Sequence, residues 1–235
     1  MVRCLEEFKN KHQGEDIYVI ASGKSCDFIS PDFFSNKITI GLNQVYKKFN
    51  TTYLVRKEYK LIDEIISKNP QIIHFISYST SGNHSIDKRK HKNKNYIEEK
   101  YSDNNNIVLF DHNDNKHKVE HLPNNENRLL VSYSTITTAM HLGAYMGAKN
   151  IILVGHDCGL INGKSNFANY HSDETIKISW DNKKQYDHWI SNNIEKGSIR
   201  TKKLLKEKYG CNIYSLNPFI NFGLEGNKYT RVKMH

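Results

Sequence analysis

The first third of the chain alternates apolar, β-branched runs with segments of helical spacing. DIYVIAS, NKITIGLN, TTYLVRK and QIIHFISY are strand candidates, KSCDFISPDFF predicts a short helix or turn, and EYKLIDEIISKN predicts a helix. Strands that alternate with helices in this rhythm form a parallel sheet with helices on its faces. The sequence therefore predicts an α/β fold: a Rossmann-like, mostly parallel sheet with helices on both faces.

The last part of the chain continues this alternation after a long polar stretch. LLVSYSTITTAMHLGAYMGAKN predicts a small-residue helix that ends near Gly147, and IILVGHD predicts a buried strand. NNIEKGSIRTKKLLKEKYG predicts a charged helix with a glycine stop, and CNIYSLNP a final strand. Residues 79–127 are rich in Asn, Lys and His, are interrupted only by the apolar run NIVLFDH, and predict a flexible insert of solvated loops. The histidines of this insert lack metal-ligand spacing, so no metal site is predicted.

Composition restricts the class of protein and its partners. The chain has 235 residues, enough for one sizeable α/β domain with a small lid, and its formal net charge of +9 favours an anionic partner. The lysines are spread along the chain without a nucleic-acid-binding module, so no nucleic acid is expected. No run of about 18 apolar residues and no signal-peptide core is present, which predicts a cytoplasmic protein. The cysteines form no C-x-x-C pair and predict reduced thiols: Cys4, Cys26, Cys158 and Cys211.

The first predicted strand ends in Gly-Lys-Ser, which resembles the end of an ATP-binding P-loop. A P-loop needs G-x-x-x-x-G-K-S/T, and the position of its first glycine is held by Tyr18, inside the predicted strand. The spacing therefore argues against a P-loop. What remains is a small-residue turn with a helix start near Ser25, where backbone N–H groups favour phosphate or carboxylate. The alternative is an ordinary strand-to-helix turn.

Short polar residues follow three of the predicted strands. Ser22-Gly23-Lys24-Ser25 follows the first, Asn43 and Gln44 follow the second, and Gly155-His156-Asp157 follows the strand at 151–154. Ligands of open parallel sheets bind beyond the carboxyl ends of the strands. Polar side chains at these ends suit a nucleotide. The alternatives are that Asn43 caps a helix and that Asp157 fixes its own turn.

A second polar stretch predicts a lid over this site. The predicted domains are a nucleotide-binding α/β domain at 1–157 and 191–235, and a lid at 158–190. The lid contains His188, in QYDHWISNN. Because an imidazole titrates near neutral pH, it can remove a proton from an attacking hydroxyl. The alternative is that His188 packs beside Trp189 or caps the next helix.

Together, these segments resemble the small bacterial sialyltransferases that use CMP-activated sialic acid, and the wider group that contains the pterin diphosphokinase-like proteins. VIASGKSCDFI is similar to the family's strand and Gly-Pro-Ser loop, and GLNQVYKKF to its Asn-Gln-aromatic segment. STITTAMHLGAYMGAKNIILVGHD is similar to its small-residue helix, its Gly-Ala-Lys turn and its strand ending in Gly-x-Asp. ING at 161–163 and HWISNNIEKGSIRTKKLLKEKYGCNIYSLNP follow in the family's order. No single piece is specific, but the order extends over about 200 residues.

The resemblance implies an inverting, metal-independent glycosyltransferase that uses no cofactor. Its donor would be a CMP-sugar and its acceptor a glycan or glycolipid of the cell surface or lipopolysaccharide, which is compatible with peripheral membrane association at the inner face and with a homo-oligomer. The resemblance implies His188 as the general base. The donor-binding residues that it implies are Ser22, Gly23, Lys24, Ser25, Asn43, Gln44, Ser134, Thr135, Asp157, Asn162 and Gly163.

The chain departs from the family in its phosphate-binding residues. Lys24 stands where the family has proline. The family's two phosphate-binding tyrosines have no counterpart, because the matching positions hold Gly159-Leu160 and Asn166-Phe167. Lys164 and Tyr170 are the candidates to replace them. The donor sugar is therefore left open between sialic acid, another nonulosonic acid and Kdo.

Two alternative functions remain at this point. A pterin diphosphokinase-like pyrophosphokinase would use ATP and needs carboxylates that converge on Mg²⁺, for which Asp157 is the one well-placed candidate. A basic nucleic-acid-binding protein would need a continuous basic face and would bind with a steep salt dependence.

Overall fold

The computed structural model describes residues 2–56, 62–78, 87–114, 121–124, 127–159, 161, 164–170 and 190–216. The strands are β1 (Arg3–Cys4), β2 (Asp16–Ile20), β3 (Ile38–Leu42), β4 (Tyr53–Arg56), β5 (Ile73–Ser77), β6 (Ile107–Asp114), β7 (Arg128–Val131), β8 (Asn150–Val154) and β9 (Asn212–Ser215). The α-helices are α1 (Ile62–Lys68), α2 (Asp87–Lys100), α3 (Thr135–Tyr145) and α4 (Lys196–Tyr209). Short 3₁₀ helices occupy Leu5–Phe8, Lys24–Phe28, Pro31–Phe34 and Val45–Lys47, and a π-helical turn, Ile190–Glu195, leads into α4. No helix of the described ranges is both long and apolar enough to cross a bilayer.

The strands form one sheet in the order β1-β6-β5-β4-β3-β2-β8-β9, with β7 also paired to β6. Every described strand pair is parallel. From β2 the chain moves outward through β3, β4 and β5 to β6, and then returns to place β8 on the other side of β2. The order of the strands therefore reverses at β2. The predicted parallel α/β fold is confirmed, and its topological switch point lies between β3 and β8.

Helices cover both faces of the sheet, as predicted. Successive residues of a strand point to opposite faces. Phe75 of β5 belongs to the main core, which also contains Met140 of α3. The next residue, Ile76, belongs to a second cluster with Ile97 of α2. The strands are therefore buried from both sides, which explains why they were recognisable as continuous apolar runs.

The prediction of solvated loops at 79–127 is wrong for residues 87–100, and the apolar run NIVLFDH that interrupts this stretch belongs to a strand. Residues 87–100 form α2 and residues 107–114 form β6, which pairs with β5. Ile97 and Ile107 are fully buried. The error has a physical cause: α2 is polar over most of its length, and a single buried isoleucine among lysines gives no visible periodicity. The other residues of the predicted insert lie partly outside the described ranges.

The start of the small-residue helix is also corrected. Residues 128–131 form β7, which pairs with Asp111–Asp114 of β6, and α3 begins only at Thr135. The predicted end near Gly147 is confirmed, since this glycine has a φ of +88°. The other expected elements, including the glycine-terminated helix α4 and the strand β9, are confirmed. The two-residue strand β1 was not predicted.

His141 lies in the buried contact between α3, β7 and α4. Its Nδ1 accepts a hydrogen bond from the Leu130 N–H at 3.0 Å, so the proton of the neutral ring is on Nε2, which lies 3.2 Å from the Tyr209 hydroxyl. Burial lowers the pKa of His141 to about 3. Burial also lowers the pKa of His156, which follows β8, to about 4. Both rings are therefore neutral in the folded protein, whereas in the unfolded chain they bind protons below about pH 6.5.

Acid is therefore expected to destabilise the fold through these two histidines. The stability that comes from keeping them neutral is fully present above about pH 6.5 and is lost as the pH falls toward the folded pKa values. We expect His141→Asn, which keeps an acceptor for the Leu130 N–H, to reduce the slope of unfolding free energy against pH by about 1.4 kcal/mol per pH unit between about pH 4.5 and 6. Denaturant titrations at several pH values measure this slope. An identical slope in the variant and the wild type would contradict the assignment.

Candidate active site

A cavity of about 280 Å³ opens at the switch point of the sheet. Its walls are the turns that follow β2, β3 and β8, the amino terminus of α3, part of the segment 164–170, and Ile194 of the π-helical turn. This is the position at which open parallel sheets bind ligands. Ser22, Asn43 and Asp157, predicted from three separate strand ends, line this one cavity. The structure therefore brings the predicted strand-end residues together.

The turn after β2 is held against the end of β8 by main-chain hydrogen bonds. Ala21 donates to the Val154 carbonyl at 2.7 Å, and Gly23 donates to the Gly155 carbonyl at 2.8 Å. A Cβ atom at Gly23 would lie 2.3 Å from the Gly155 carbonyl oxygen and 2.5 Å from Cγ of Asp157. The position therefore requires glycine for close approach. Tyr18 lies within β2, which agrees with the argument against a P-loop.

Asp157 holds this turn from the side of β8. Its carboxylate is 3 % exposed and accepts hydrogen bonds from the Ser25 N–H at 2.8 Å and from the Ser25 hydroxyl at 2.5 Å. Burial raises the pKa of Asp157, and the two hydrogen bonds act in the opposite direction. The N–H groups of Gly23 and Ser25 thus donate within the protein. The phosphate-binding role predicted for these amides has no support in their hydrogen bonds and stays a prediction.

Lys24 does not line the cavity. Its ammonium lies 2.5 Å from Asp27 Oδ2, and the ammonium of Lys48 lies 2.9 Å from Asp27 Oδ1. Burial acts to raise the pKa of Asp27, but hydrogen bonds from both lysines and from the Ala168 N–H outweigh it and bring the pKa to about 2. One carboxylate therefore joins the turn after β2 to Lys48, which lies beyond β3, and to the wall segment 164–170.

Tyr170 lies directly behind the cavity wall. The residue is 6 % exposed, and burial raises the pKa of its phenol, while the side chains of Ser22 and Asn43 and the backbone of Gln44 act to lower that pKa. Gln44 itself is not among the lining residues. Asn43 has a φ of +51°, a left-handed conformation that asparagine tolerates better than most residues. Tyr170 thus lies next to two lining residues, and the structure does not place it in the cavity.

The amino terminus of α3 supplies the electropositive side of the cavity. Ser134 caps the helix by accepting a hydrogen bond from the Ile136 N–H at 3.5 Å, and Ser134, Thr135 and Ile136 all line the cavity. The helix dipole and the N–H groups of a first turn favour an anionic group. The two α3 residues predicted from the resemblance, Ser134 and Thr135, therefore lie where a phosphate or carboxylate would be stabilised.

Several lining residues were not predicted as site residues. His156 lines the cavity and is hydrogen-bonded through Nε2 to the Ser198 hydroxyl at 2.8 Å. The Ser198 hydroxyl donates its hydrogen to the Ile194 carbonyl at 2.9 Å, so its oxygen accepts the bond from His156. The neutral His156 ring therefore carries its proton on Nε2. Ile194, in the π-helical turn, also lines the cavity. The sequence signal for His156 was its place in Gly-His-Asp after a strand, whereas nothing in the sequence placed Ile194 there.

The remaining predicted residues lie at the edge of the described structure or beyond it. Lys164 is exposed, does not line the cavity, and exchanges two main-chain hydrogen bonds with Ile161 at 3.1 Å each. Asn162, Gly163 and His188 lie outside the described residues. Their predicted roles stay predictions. Within the described ranges, no group of three or more His, Cys, Asp and Glu side chains is arranged to hold a metal ion.

Comparison with solved structures places this architecture among known folds. No protein-family model matches the chain, and no curated protein does. The sialyltransferase CstII from Campylobacter jejuni in complex with the substrate analogue CMP has a TM-score of 0.50 and 13 % identity, with 93 % of this chain and 92 % of that chain covered. The monofunctional α-2,3-sialyltransferase Cst-I from the same organism has a TM-score of 0.51 and 18 % identity, with 92 % and 78 % covered. The chain therefore has the fold of these sialyltransferases over most of its length.

Proposed function

We propose that the protein is a glycosyltransferase that moves a sialic-acid-like or Kdo-like sugar from a CMP-sugar donor to a glycan or glycolipid acceptor. The observation that carries the proposal is the cavity at the switch point, where three strand-end turns and the start of α3 meet. The shared fold with a sialyltransferase solved with CMP supports the same choice. In this proposal the reaction inverts the configuration at the anomeric carbon and needs no metal.

The described residues suit the binding of an anionic nucleotide-sugar. The amino terminus of α3 faces the cavity, and its dipole stabilises the phosphate or carboxylate of the donor. The Ser22 hydroxyl is held by a hydrogen bond to Asn166 Oδ1 at 2.8 Å, and the side chains of Ser22 and Asn43 are suited to hydroxyl and base groups of the donor. Because Asp27 engages the Lys24 ammonium, we assign the stabilisation of the leaving phosphate to α3 rather than to Lys24.

The proposed transfer is a single displacement. The acceptor hydroxyl oxygen forms the new bond to the anomeric carbon while the bond from that carbon to the phosphate oxygen breaks, and CMP leaves with the electron pair. His188 takes the proton of the acceptor hydroxyl as general base. The transition state resembles an oxocarbenium ion and a departing anion, so a fixed positive potential at the phosphate lowers its energy.

A pyrophosphokinase needs a different arrangement of charges. Mg²⁺ that bridges phosphates is held by carboxylates. Among the described lining residues, the carboxylate is that of Asp157, and both of its oxygens accept hydrogen bonds from Ser25. These observations favour the glycosyltransferase. The preference of the protein for CMP without metal or for ATP with Mg²⁺ distinguishes the two functions directly.

The nucleotide preference separates the alternatives. We expect CMP or CDP without added metal to raise the melting temperature more than ADP or GDP, because a ligand that binds only the folded state stabilises it. At a ligand concentration about 100 times the Kd, the stabilisation is about 2.7 kcal/mol, or about 5–10 °C for a domain of this size. A thermal-shift panel measures it. A preference for ATP with Mg²⁺ would favour the pyrophosphokinase instead.

Removal of the proposed base tests the chemical step. We expect His188→Ala to lower kcat about 10²–10⁴-fold, as is typical for the loss of a general base, while CMP still binds. His121→Ala, which removes an exposed imidazole outside the cavity lining, is the matched control. The measurement is the rate of CMP release from a CMP-sugar in the presence of acceptor. A normal rate in His188→Ala would remove this residue from the mechanism.

Asp157 tests whether the turn after β2 shapes the nucleotide site. We expect Asp157→Ala to cost about 1–3 kcal/mol of unfolding free energy, because the buried donors of Ser25 lose their acceptor. CMP affinity falls with it, since the turn at Ser22 loses its support. Asp157→Asn keeps an acceptor and is expected to lose less, and Asp103→Ala removes an exposed carboxylate as a control. Unaltered CMP affinity in Asp157→Ala would show that the turn does not contribute to binding.

A further inference from the structure

A second and larger cleft, of about 590 Å³, is lined by the start of β3, whereas the end of the same strand lines the first cavity. Its walls are the 3₁₀ helix Pro31–Phe34 with the residues that follow it, the start of β3, and the segment 46–52 between β3 and β4. None of these residues lines the first cavity. We propose that this cleft binds the acidic group of an anionic saccharide. That the saccharide is the acceptor glycan rests on the function proposed above.

The cleft is cationic because its lysines exceed its carboxylates. Lys37, Lys47 and Lys48 line it, with Asp32 as the acidic residue of the lining. Lys48 is paired with Asp27, which also pairs with Lys24. The ammonium of Lys37 instead donates to the Phe33 carbonyl at 2.6 Å, and that of Lys47 to the Tyr170 carbonyl at 3.2 Å. Within the described part of the chain, neither lysine forms an ion pair.

Two ammonium groups bound only to carbonyl oxygens have donors left for a further acceptor. An ammonium has three N–H donors. Lys37 is also half-buried and lies 4.2 Å from the centre of the Phe33 ring, which restricts its position. A charge held in this way is a better anion ligand than a freely rotating surface lysine, because less side-chain entropy is lost on binding.

The rest of the lining favours a hydroxyl-bearing ligand over a bare polyanion. Ser35, Asn50 and Tyr46 add hydroxyl and amide groups, and the Asp32 carboxylate can accept hydrogen bonds from sugar hydroxyls. The same carboxylate repels a ligand that carries only negative charge. A sugar with one phosphate or carboxylate satisfies both parts of the lining: its acid faces the lysines and its hydroxyls face the neutral and acidic groups.

The cleft is connected to the first cavity through Tyr170. The ammonium of Lys47 donates to the Tyr170 carbonyl at 3.2 Å, and the Tyr170 phenol lies near Ser22 and Asn43, which line the first cavity. A glycan that reaches from one opening to the other would present a hydroxyl to the donor while an acidic sugar further along the chain occupies the cleft. This arrangement would select acceptors by charge, away from the reacting atoms.

Calorimetric titration with N-acetylglucosamine 6-phosphate tests the cleft. Unphosphorylated N-acetylglucosamine and inorganic phosphate are the matched ligands. We expect saturable binding of the phosphosugar, weaker binding of both matched ligands, and about a tenfold loss of phosphosugar affinity in Lys37→Met, as for one charge-assisted hydrogen bond. Lys203→Met removes the same charge from the exposed face of α4 and is expected to bind normally.

Each other outcome overturns the inference or part of it. Equal losses in Lys37→Met and Lys203→Met would indicate a general effect of net charge, and absence of phosphosugar binding would leave the cleft without a ligand. Binding of phosphate as tight as that of the phosphosugar would exclude the saccharide. CMP is titrated in parallel. Phosphosugar binding without CMP binding would contradict the proposed function alone, and CMP binding without phosphosugar binding would contradict the cleft alone.

Discussion

The close packing of the turn after β2 against the end of β8 is the constraint on which the candidate site depends. The two elements touch through Gly23 and the Gly155 carbonyl, with no room for a side chain, and Asp157 ties Ser25 to the same place. Because β2 is the strand at which the order of the sheet reverses, this contact sets one wall of the crevice. The strand order thus creates the crevice, and the close approach at Gly23 fixes the position of one wall. The polar residues around the cavity are positioned by these two features.

The charges near the cavity are distributed differently from what the net charge of the chain suggests. Lys24 and Lys48 share Asp27, so the lysines that flank the cavity mainly join segments to each other. The electropositive element that faces the cavity is the start of α3, where the positive end of the helix dipole is fixed by the backbone. Two of the cations without an acidic partner within the described ranges, Lys37 and Lys47, line the second cleft instead.

The sequence allowed the central part of the fold to be predicted because those strands are buried on both faces and appear as apolar runs. It did not reveal α2, whose one buried isoleucine is surrounded by polar residues, or β7, whose four residues merge with the apolar pattern of α3. The polar residues that follow the strands allowed us to predict which turns meet at the cavity. Side-chain partners were not predictable in the same way, since Lys48 meets Asp27, and His156 meets Ser198, only through the three-dimensional arrangement.

Asp27 joins Lys24, Lys48 and the Ala168 N–H through contacts that persist in acid. Its pKa of about 2 means that the carboxylate keeps its negative charge, and with it the hydrogen bonds from both lysines and the Ala168 N–H, down to about pH 3. The neutral state of His141 and His156 becomes costly several pH units higher. This three-way junction therefore keeps its charges through the acid range in which the two histidines begin to destabilise the fold.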